Sequence, residues 1–222
     1  MEAVRDRETD VGSIRRERRF KLRGGVVCLD FVNTVGSRLA DHPSEYLRSN
    51  EDLLDWSRQV GLLAPEETED LSRQAALDPE GTQETLSRAL ALREAIHRII
   101  SRAIAGESQE ESDLSVLNRE LSIALSHLSV MPTDGAYGWD WDLSWDEGET
   151  PLDRPLWPVA QSAAELLTSP KLGRVKVCAG DGCGWMFLDE SRNNSRRWCD
   201  SRDCGNRERV RRHLARKRAS DS

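Results

Sequence analysis

The stretch VKVCAGDGCGWMFLDESRNNSRRWCDSRDCGNR, residues 175–207, contains four of the chain's five cysteines. They are Cys178, Cys183, Cys199 and Cys204, spaced as C-x4-C-x15-C-x4-C. Two close pairs separated by about 15–20 residues are typical of a zinc site in which each pair forms a knuckle. The chain between the pairs is then expected to form a hairpin. Because four thiolates fill a tetrahedral site, the predicted Zn²⁺ is structural and has no open position for catalysis.

The start of the sequence favours metal over disulfides. The first thirty residues are rich in Arg, Asp and Glu and contain no apolar run like that of a signal peptide. No later run approaches the ~18 apolar residues that a membrane span needs. We therefore expect a soluble, cytoplasmic protein that does not associate with membranes. In that compartment, clustered cysteines bind metal more often than they form disulfides.

Charge is divided unevenly along the chain. The 222 residues carry a net charge of −7, but residues 171–222 contain 14 Lys and Arg against 7 Asp and Glu, a net charge of +7. The remainder of the chain is therefore strongly acidic. A basic segment joined to an acidic body is typical of a protein that binds a polyanion with one end, although a solvated tail is the alternative.

The basic residues fall on a predicted helix over about 203–218 and on the segment before it. In that helix only Val210 and Leu214 form an apolar stripe for docking, so most of its surface is cationic. Arginine side chains can bind nucleic-acid phosphates. The candidates are Arg192, Arg196, Arg197, Arg207, Arg209, Arg211, Arg212 and Arg216. The aromatic residues expected to pack around the zinc are Trp185, Phe187 and Trp198.

The chain before the cysteines is predicted to be mainly helical. Apolar spacing, caps and prolines predict five helices, which begin near residues 51, 65, 82, 113 and 158. The first is bounded by Ser49, a predicted N-cap, and by Gly61, which stops it. The fourth is predicted to run through Leu128, the last leucine of its stripe.

Two stretches depart from helical periodicity. Trp139, Trp141, Leu143 and Trp145 alternate with polar residues, which predicts a strand with one aromatic face. That face covers the edge of a core more often than it forms a ligand cage. The other stretch is GGVVCLDFVNTV, residues 24–35, which is either a short strand entering a helix or a buried helix.

These features predict the fold class and the domains. The fold is a mainly α N-terminal domain with a short β-hairpin or small sheet, followed by a small α+β zinc finger made of a hairpin and a helix. Residues 1–20 alternate in charge sign without apolar periodicity and are predicted to form a mobile arm. Residues 21–170 form the helical domain, and a Pro/Gly/Ser-containing boundary precedes the finger at residues 171–222.

Polar residues interrupt the apolar stretch near the start of the helical domain. Asp30, Asn33 and Thr34 lie within it, and Arg38 follows. Because buried polar groups must be paired, these residues form either an internal hydrogen-bond network or the lining of a ligand pocket. A pocket would give the domain a sensing function.

Several of these motifs resemble known families. The segment from Cys178 to about Arg212, with Cys204-Gly205-Asn206-Arg207, closely resembles the CGNR zinc finger. The motifs GGVVCLDFVNTV, EDLLDWSRQVGLL and LREAIHRII resemble the ABATE domain that precedes this finger in bacterial stress-induced transcription regulators. The resemblance implies that residues 21–170 are an ABATE-like domain and that the finger is treble-clef-like, with the same four cysteines holding Zn²⁺.

The resemblance and the charge together favour one function over two others. The leading hypothesis is a DNA-binding transcription regulator, in which the helical domain senses a small-molecule effector or forms a homodimer and the finger contacts duplex DNA. The second is an RNA-binding or protein-docking zinc module. An enzyme is not expected, because no phosphate-binding loop, metalloprotease motif or paired nucleophile is apparent.

Overall fold

The computed structural model describes residues 20–133, 139–143 and 151–220, with only the backbone described for residues 139–143, 219 and 220. Residues 1–19 of the predicted arm and Trp145 of the predicted strand lie outside this range. Phe20, the last residue assigned to the arm, is described and is buried in the main hydrophobic core.

The described residues form seven α-helices and three two-stranded antiparallel sheets. The helices are α1 Val27–Val32, α2 Asn50–Val60, α3 Pro65–Leu77, α4 Pro79–Ala105, α5 Glu111–Ser126, α6 Trp157–Leu167 and α7 Cys204–Ser220. The strands are β1 Val35–Gly36, β2 Ser44–Glu45, β3 Leu128–Pro132, β4 Trp139–Leu143, β5 Val175–Val177 and β6 Met186–Leu188. The predicted fold class, mainly helical with small β-elements and a C-terminal finger, is confirmed.

The predicted boundaries of α2 are confirmed by its caps. The Ser49 hydroxyl accepts a hydrogen bond from the Asp52 backbone N–H at 3.3 Å, which satisfies one of the free donors at the helix start. Gly61 ends the helix with φ = 85°, a left-handed conformation that glycine adopts without steric cost.

The apolar stretch at residues 24–35 folds as the buried helix α1. Its Cys28, Leu29, Phe31 and Val32 are buried, and Cys28 is the small core residue that its apolar neighbours suggest. Gly24 is required just before α1, because a Cβ atom there would lie 2.6 Å from the Asp30 backbone nitrogen. The chain can therefore enter α1 only with glycine at this position.

The main core surrounds the middle of α4, the longest helix. Ile96 and Ile100 of α4 are fully buried and belong to one cluster with residues of α1, α2, α5 and α6. Val175, Met186 and Leu188 of the finger's strands belong to the same cluster. The finger and the helical domain therefore share a core, although the chain passes from one to the other near residue 170.

The end of α5 and the presence of β3 differ from the sequence prediction. The predicted fourth helix ends at Ser126, and Leu128 opens β3 instead of extending the helix. β3 pairs antiparallel with β4, where Val130 lies opposite Trp141 and Pro132 opposite Trp139. Backbone pairing with β4 replaces the last two residues of the predicted helix. This pairing joins segments that are apart in the chain, so the local apolar spacing could not indicate it.

Candidate zinc centre and basic helix

The first cysteine pair lies in the knuckle that connects β5 to β6. The two strands pair with Val177 opposite Met186, and the Cys178 N–H donates to the Trp185 carbonyl at 2.8 Å to continue the ladder. Cys183 follows within the same turn. The hairpin therefore encloses the first pair, and the expectation that it would lie between the two pairs is wrong.

The segment between the two pairs is instead a loop organised by Asp189. This fully buried carboxylate accepts hydrogen bonds from the Lys176 ammonium at 2.6 Å and from the backbone N–H groups of Ser191 and Arg196 at 2.9 and 2.8 Å. Side-chain bonds of aspartate to its own following backbone compete with strand formation. The Asp-x-Ser spacing of residues 189–191 was a signal for this turn.

The second cysteine pair forms the turn into α7. The Arg202 N–H donates to Asp200 Oδ1 at 2.7 Å, and the Gly205 N–H donates to the Asp200 carbonyl at 3.0 Å. Cys204 is both the fourth sulfur ligand and the first residue of α7. The metal site thus fixes the start of the helix directly.

The four sulfurs have the arrangement that a tetrahedral ion requires. All four thiols are buried, and their Sγ atoms lie within 4.8 Å of one another. The Cys183 and Cys199 sulfurs are 3.8 Å apart, and those of Cys199 and Cys204 are 3.6 Å apart. Zinc–sulfur bonds of about 2.3 Å in a tetrahedron require sulfur separations of about 3.8 Å, so the residues fit Zn²⁺.

Nearby donors offset the negative charge of the thiolates. Cys178 Sγ accepts from the backbone N–H groups of Gly180 and Cys199 at 3.4 and 3.3 Å, and Cys204 Sγ accepts from the Arg207 guanidinium at 3.0 Å. Hydrogen bonds from neighbouring thiols lower the pKa of Cys178, while the proximity of Cys178 raises the pKa of Cys199. Four simultaneous thiolates therefore need a bound cation.

Aromatic residues enclose the sulfurs as predicted. Trp185 and Phe187 are buried in one cluster with the four cysteines, and Trp198 packs against it. Gly180 permits the close approach of the two knuckles, because a Cβ atom there would lie 3.0 Å from Cys204 Cβ.

The candidate phosphate-binding arginines differ widely in exposure. Arg196 is directed into the finger, where its guanidinium donates to the carbonyls of Trp198 and Cys199 and lies 4.2 Å from the centre of the Phe187 ring. The Arg196 guanidinium therefore stabilises the loop of the finger. Arg192 and Arg197 are exposed on the loop.

The arginines of α7 face solvent. Arg209 reaches back to the Ser201 carbonyl, while Arg211 and Arg212 pair with the buried Glu208 at 2.8 and 2.9 Å. Arg216 is exposed further along the helix. Arg209, together with Arg211, which also pairs with Asp181 at 2.8 Å, binds the first half of the helix to the rest of the finger.

The predicted apolar docking stripe of α7 is wrong. Val210 and Leu214 are 51% and 48% exposed, so they do not seat the helix on the described part of the chain. The 17 residues of α7 extend over about 25 Å, and the helix is anchored at its start by Cys204, Gly205 and Glu208. The result is an exposed basic helix that begins at the zinc site.

The polar residues near α1 form a hydrogen-bond network. Asp30 Oδ1 accepts from the backbone N–H groups of Arg23 and Gly24, each at 2.7 Å. Thr34 donates to the Phe31 carbonyl, and the Arg38 guanidinium donates to Glu94 at 2.6 Å. The network alternative for these residues therefore fits the geometry.

Asn33 forms hydrogen bonds between the helical domain and the finger. Its side-chain amide donates to the Met186 carbonyl at 2.8 Å and accepts from the Met186 N–H at 2.9 Å, and both residues are buried. Leu188 N–H donates to the Gly24 carbonyl at 2.8 Å. The free edge of β6 is thus satisfied by the helical domain.

Two further contacts join the domains at the first knuckle. The Trp185 indole N–H donates to the Val35 carbonyl at 2.7 Å, and the Arg38 backbone N–H donates to the Cys183 carbonyl at 3.0 Å. The metal-binding turn therefore rests on the loop that follows α1.

Residues 20–24, the N-terminal strap, contact the second knuckle through two ion pairs. Lys21 pairs with Asp203 at 2.6 Å and Arg23 pairs with Asp200 at 2.8 Å. The ion pair with Asp203 raises the pKa of Lys21. These pairs were not predicted, because no local pattern indicates that the strap and the second knuckle meet.

A pocket of about 300 Å³ opens beside the zinc site between the strap and the finger. Its lining includes Lys21, Tyr46, Trp185 and Arg207. Asp30, Asn33 and Arg38 are not part of the lining.

The comparisons with known proteins agree with the two-part architecture. The model of the ABATE family, described as "Putative stress-induced transcription regulator", matches residues 25–170. The model of the CGNR zinc finger matches residues 174–217. No curated protein matches the chain. Among the described residues, no helix is long and apolar enough to cross a membrane.

Proposed function

The chain belongs to the ABATE family and carries a CGNR zinc finger, and on that premise we propose that it is a DNA-binding transcription regulator. In this proposal the finger contacts duplex DNA and the helical domain provides sensing or dimerisation. We also propose that the chain is not an enzyme and that it acts in the cytoplasm.

The observation that carries the proposal is the exposed cationic helix α7. Its start is held by the zinc ligand Cys204, while residues 209–218 are all exposed. An α-helix fits the major groove of B-DNA, and arginines along it can bind phosphates or guanine edges. A helix that is fixed at one end by metal and exposed over residues 209–218 is suited to that use.

The position of the pocket supports a sensing role for the helical domain. A ligand in it would touch Tyr46 of the helical domain and Arg207 at the base of α7. Such a ligand could change DNA affinity only by binding two conformations of this junction with different strength. A homodimer formed through the helical domain would present two fingers to paired half-sites.

The alternative is an RNA-binding or protein-docking zinc module. Exposed Val210 and Leu214 on an otherwise basic helix are the specific observation in favour of protein docking. The exposed arginines along α7 favour nucleic acid over a protein partner, because they can neutralise several phosphates of one backbone.

The test is a binding competition with the zinc-loaded full chain. Labelled duplex DNA should be displaced by unlabelled duplex and much less by single-stranded DNA or structured RNA. Arg212→Ala with Arg216→Ala should weaken duplex binding at least tenfold and lower the salt slope by about two units, because two phosphate contacts are lost.

The matched control is Arg73→Ala, which removes one exposed charge from α3 in the helical domain. It should leave the affinity and the salt slope unchanged. Preferential displacement by RNA, or no binding to duplex at low salt, would reject the proposed function.

A further inference from the structure

The second knuckle and the N-terminal strap form a basic cleft on the outside of the finger. The cleft has a volume of about 520 Å³. Its side chains include four arginines and two serines against a single carboxylate, and they are Arg23, Ser195, Arg196, Arg197, Ser201, Arg202 and Asp200. We propose that this cleft binds a phosphate of the DNA backbone beside α7, an inference that rests on the proposed function.

Two of the four arginines have guanidinium groups available for a ligand. Arg196 is occupied by backbone carbonyls, and Arg23 is paired with Asp200. In the part of the chain that the structure describes, Arg197 and Arg202 form no ion pair, and both are exposed. Arg197 lies 5.4 Å from the centre of the Trp198 ring, which limits where its guanidinium can go. A phosphate would supply the missing counter-charge.

The cleft is continuous with the base of α7. Arg209, in the second turn of that helix, donates to the Ser201 carbonyl at 3.3 Å, and Ser201 lines the cleft. A strand of DNA backbone can therefore pass through the cleft while α7 occupies the adjacent groove. Phosphate contacts of this kind fix the register of a helix on the duplex.

The geometry also gives the helical domain a part in DNA binding. Arg23 belongs to the strap. Its backbone carbonyl accepts a hydrogen bond from the Arg196 guanidinium, and its side chain pairs with Asp200 across the cleft. A phosphate in the cleft competes with Asp200 for Arg23. DNA binding and strap attachment are then linked at one ion pair.

The experiment compares salt titrations of duplex binding by the zinc-loaded full chain and by the double variant Arg197→Ala/Arg202→Ala. The variant should bind roughly tenfold to a hundredfold more weakly at ~0.1 M salt, with a slope lower by about two units. Its thermal unfolding should change little, because both side chains are exposed and the contact of Arg197 with the Trp198 ring is worth about 0.5–1 kcal/mol. Arg73→Ala is again the charge control and should match the wild type.

Asp200→Asn tests the same cleft in the opposite direction. The amide retains the Oδ1 acceptor for the Arg202 N–H but removes the negative charge. Duplex binding should tighten by about threefold or more, because the variant removes one partly buried negative charge that repels the phosphate. Unchanged or weaker binding would count against a phosphate at this place.

The outcomes separate this inference from the proposed function. If the wild type binds duplex and the double variant binds equally well, the cleft proposal is overturned while the function stands. If the wild type does not bind duplex, both fail. Inorganic phosphate is tested separately by calorimetry against chloride at equal ionic strength. Saturable binding of phosphate that the double variant loses, with duplex binding unaffected, would overturn the proposal in favour of a small-anion site.

Discussion

Replacing Asn33 by alanine should weaken the attachment of the finger to the helical domain. The Asn33 amide satisfies both the N–H and the carbonyl of Met186, at 2.9 and 2.8 Å. Met186 is fully buried, so neither group can turn to water when the amide is removed. The variant therefore leaves two backbone groups unpaired in the shared core.

The magnitude follows from the number of groups left unpaired. A buried backbone donor or acceptor without a partner costs about 1–3 kcal/mol, so leaving two of them unpaired in Asn33→Ala should lower the free energy of unfolding by about 2–6 kcal/mol. That is a large fraction of the roughly 5–15 kcal/mol that stabilises a typical protein.

The assay is urea unfolding of the zinc-loaded full chain, followed by far-UV circular dichroism and by release of zinc to a chelating dye. Both transitions should move to lower urea in Asn33→Ala, because Met186 belongs to the core of the helical domain as well as to the finger. Asn193→Ala, at an exposed position of the finger loop, is the matched control and should change little.

Two results would refute this reasoning. A loss below about 0.5 kcal/mol would mean that Met186 finds other partners, contrary to its burial. Earlier zinc release with an unchanged circular dichroism transition would mean that the finger unfolds independently of the helical domain, contrary to a shared core.

Three further predictions concern metal and proton binding. Cys199→Ser should abolish stoichiometric zinc binding, measured by metal analysis, and lower the melting temperature of the whole chain; a full zinc complement would reject the four-sulfur site. Arg207→Ala should weaken zinc binding about tenfold, the low end of the range for losing a hydrogen-bond donor to a metal ligand, because it removes the donor to Cys204. Arg212→Ala should not weaken zinc binding, and equal effects in chelator competition would reject this role. Burial lowers the pKa of His97 to about 4, so folding keeps this side chain neutral. The free energy of unfolding should therefore fall as the pH drops from about 6.5 to about 4, by about 3 kcal/mol more in the wild type than in His97→Gln; parallel pH profiles in urea unfolding would contradict this.

The zinc site could be predicted from the sequence because metal ligation requires few residues at restricted spacings. Four cysteines in two pairs define the donor set, and the basic residues after Cys204 define the character of α7. The helices were predictable for a similar reason, since apolar periodicity and caps such as Ser49 are local signals.

The contacts between the domains could not be predicted because they join residues far apart in the chain. Asn33 and Met186 are separated by 153 positions, and nothing in either local sequence identifies the other. The polar interruption at Asn33 indicated a buried hydrogen bond without indicating its partner. Arg196 illustrates the same limit. Its basic neighbours in the sequence predict a contact with phosphate, whereas in the structure its guanidinium binds backbone carbonyls of the finger.

The shared core allows the helical domain to affect the position of the finger through direct contacts. A finger on a free linker could be affected by its neighbour only through tethering and long-range charge, which salt at ~0.15 M screens within about 8 Å. Here the edge of β6 is held by Asn33 and Gly24, and the second knuckle is held by the strap. A change in the loop after α1 therefore reaches the zinc ligand Cys183 through a direct hydrogen bond, and a change in the strap reaches Asp200, the residue after the zinc ligand Cys199. Because Cys204 begins α7, the orientation of the basic helix depends on the same contacts.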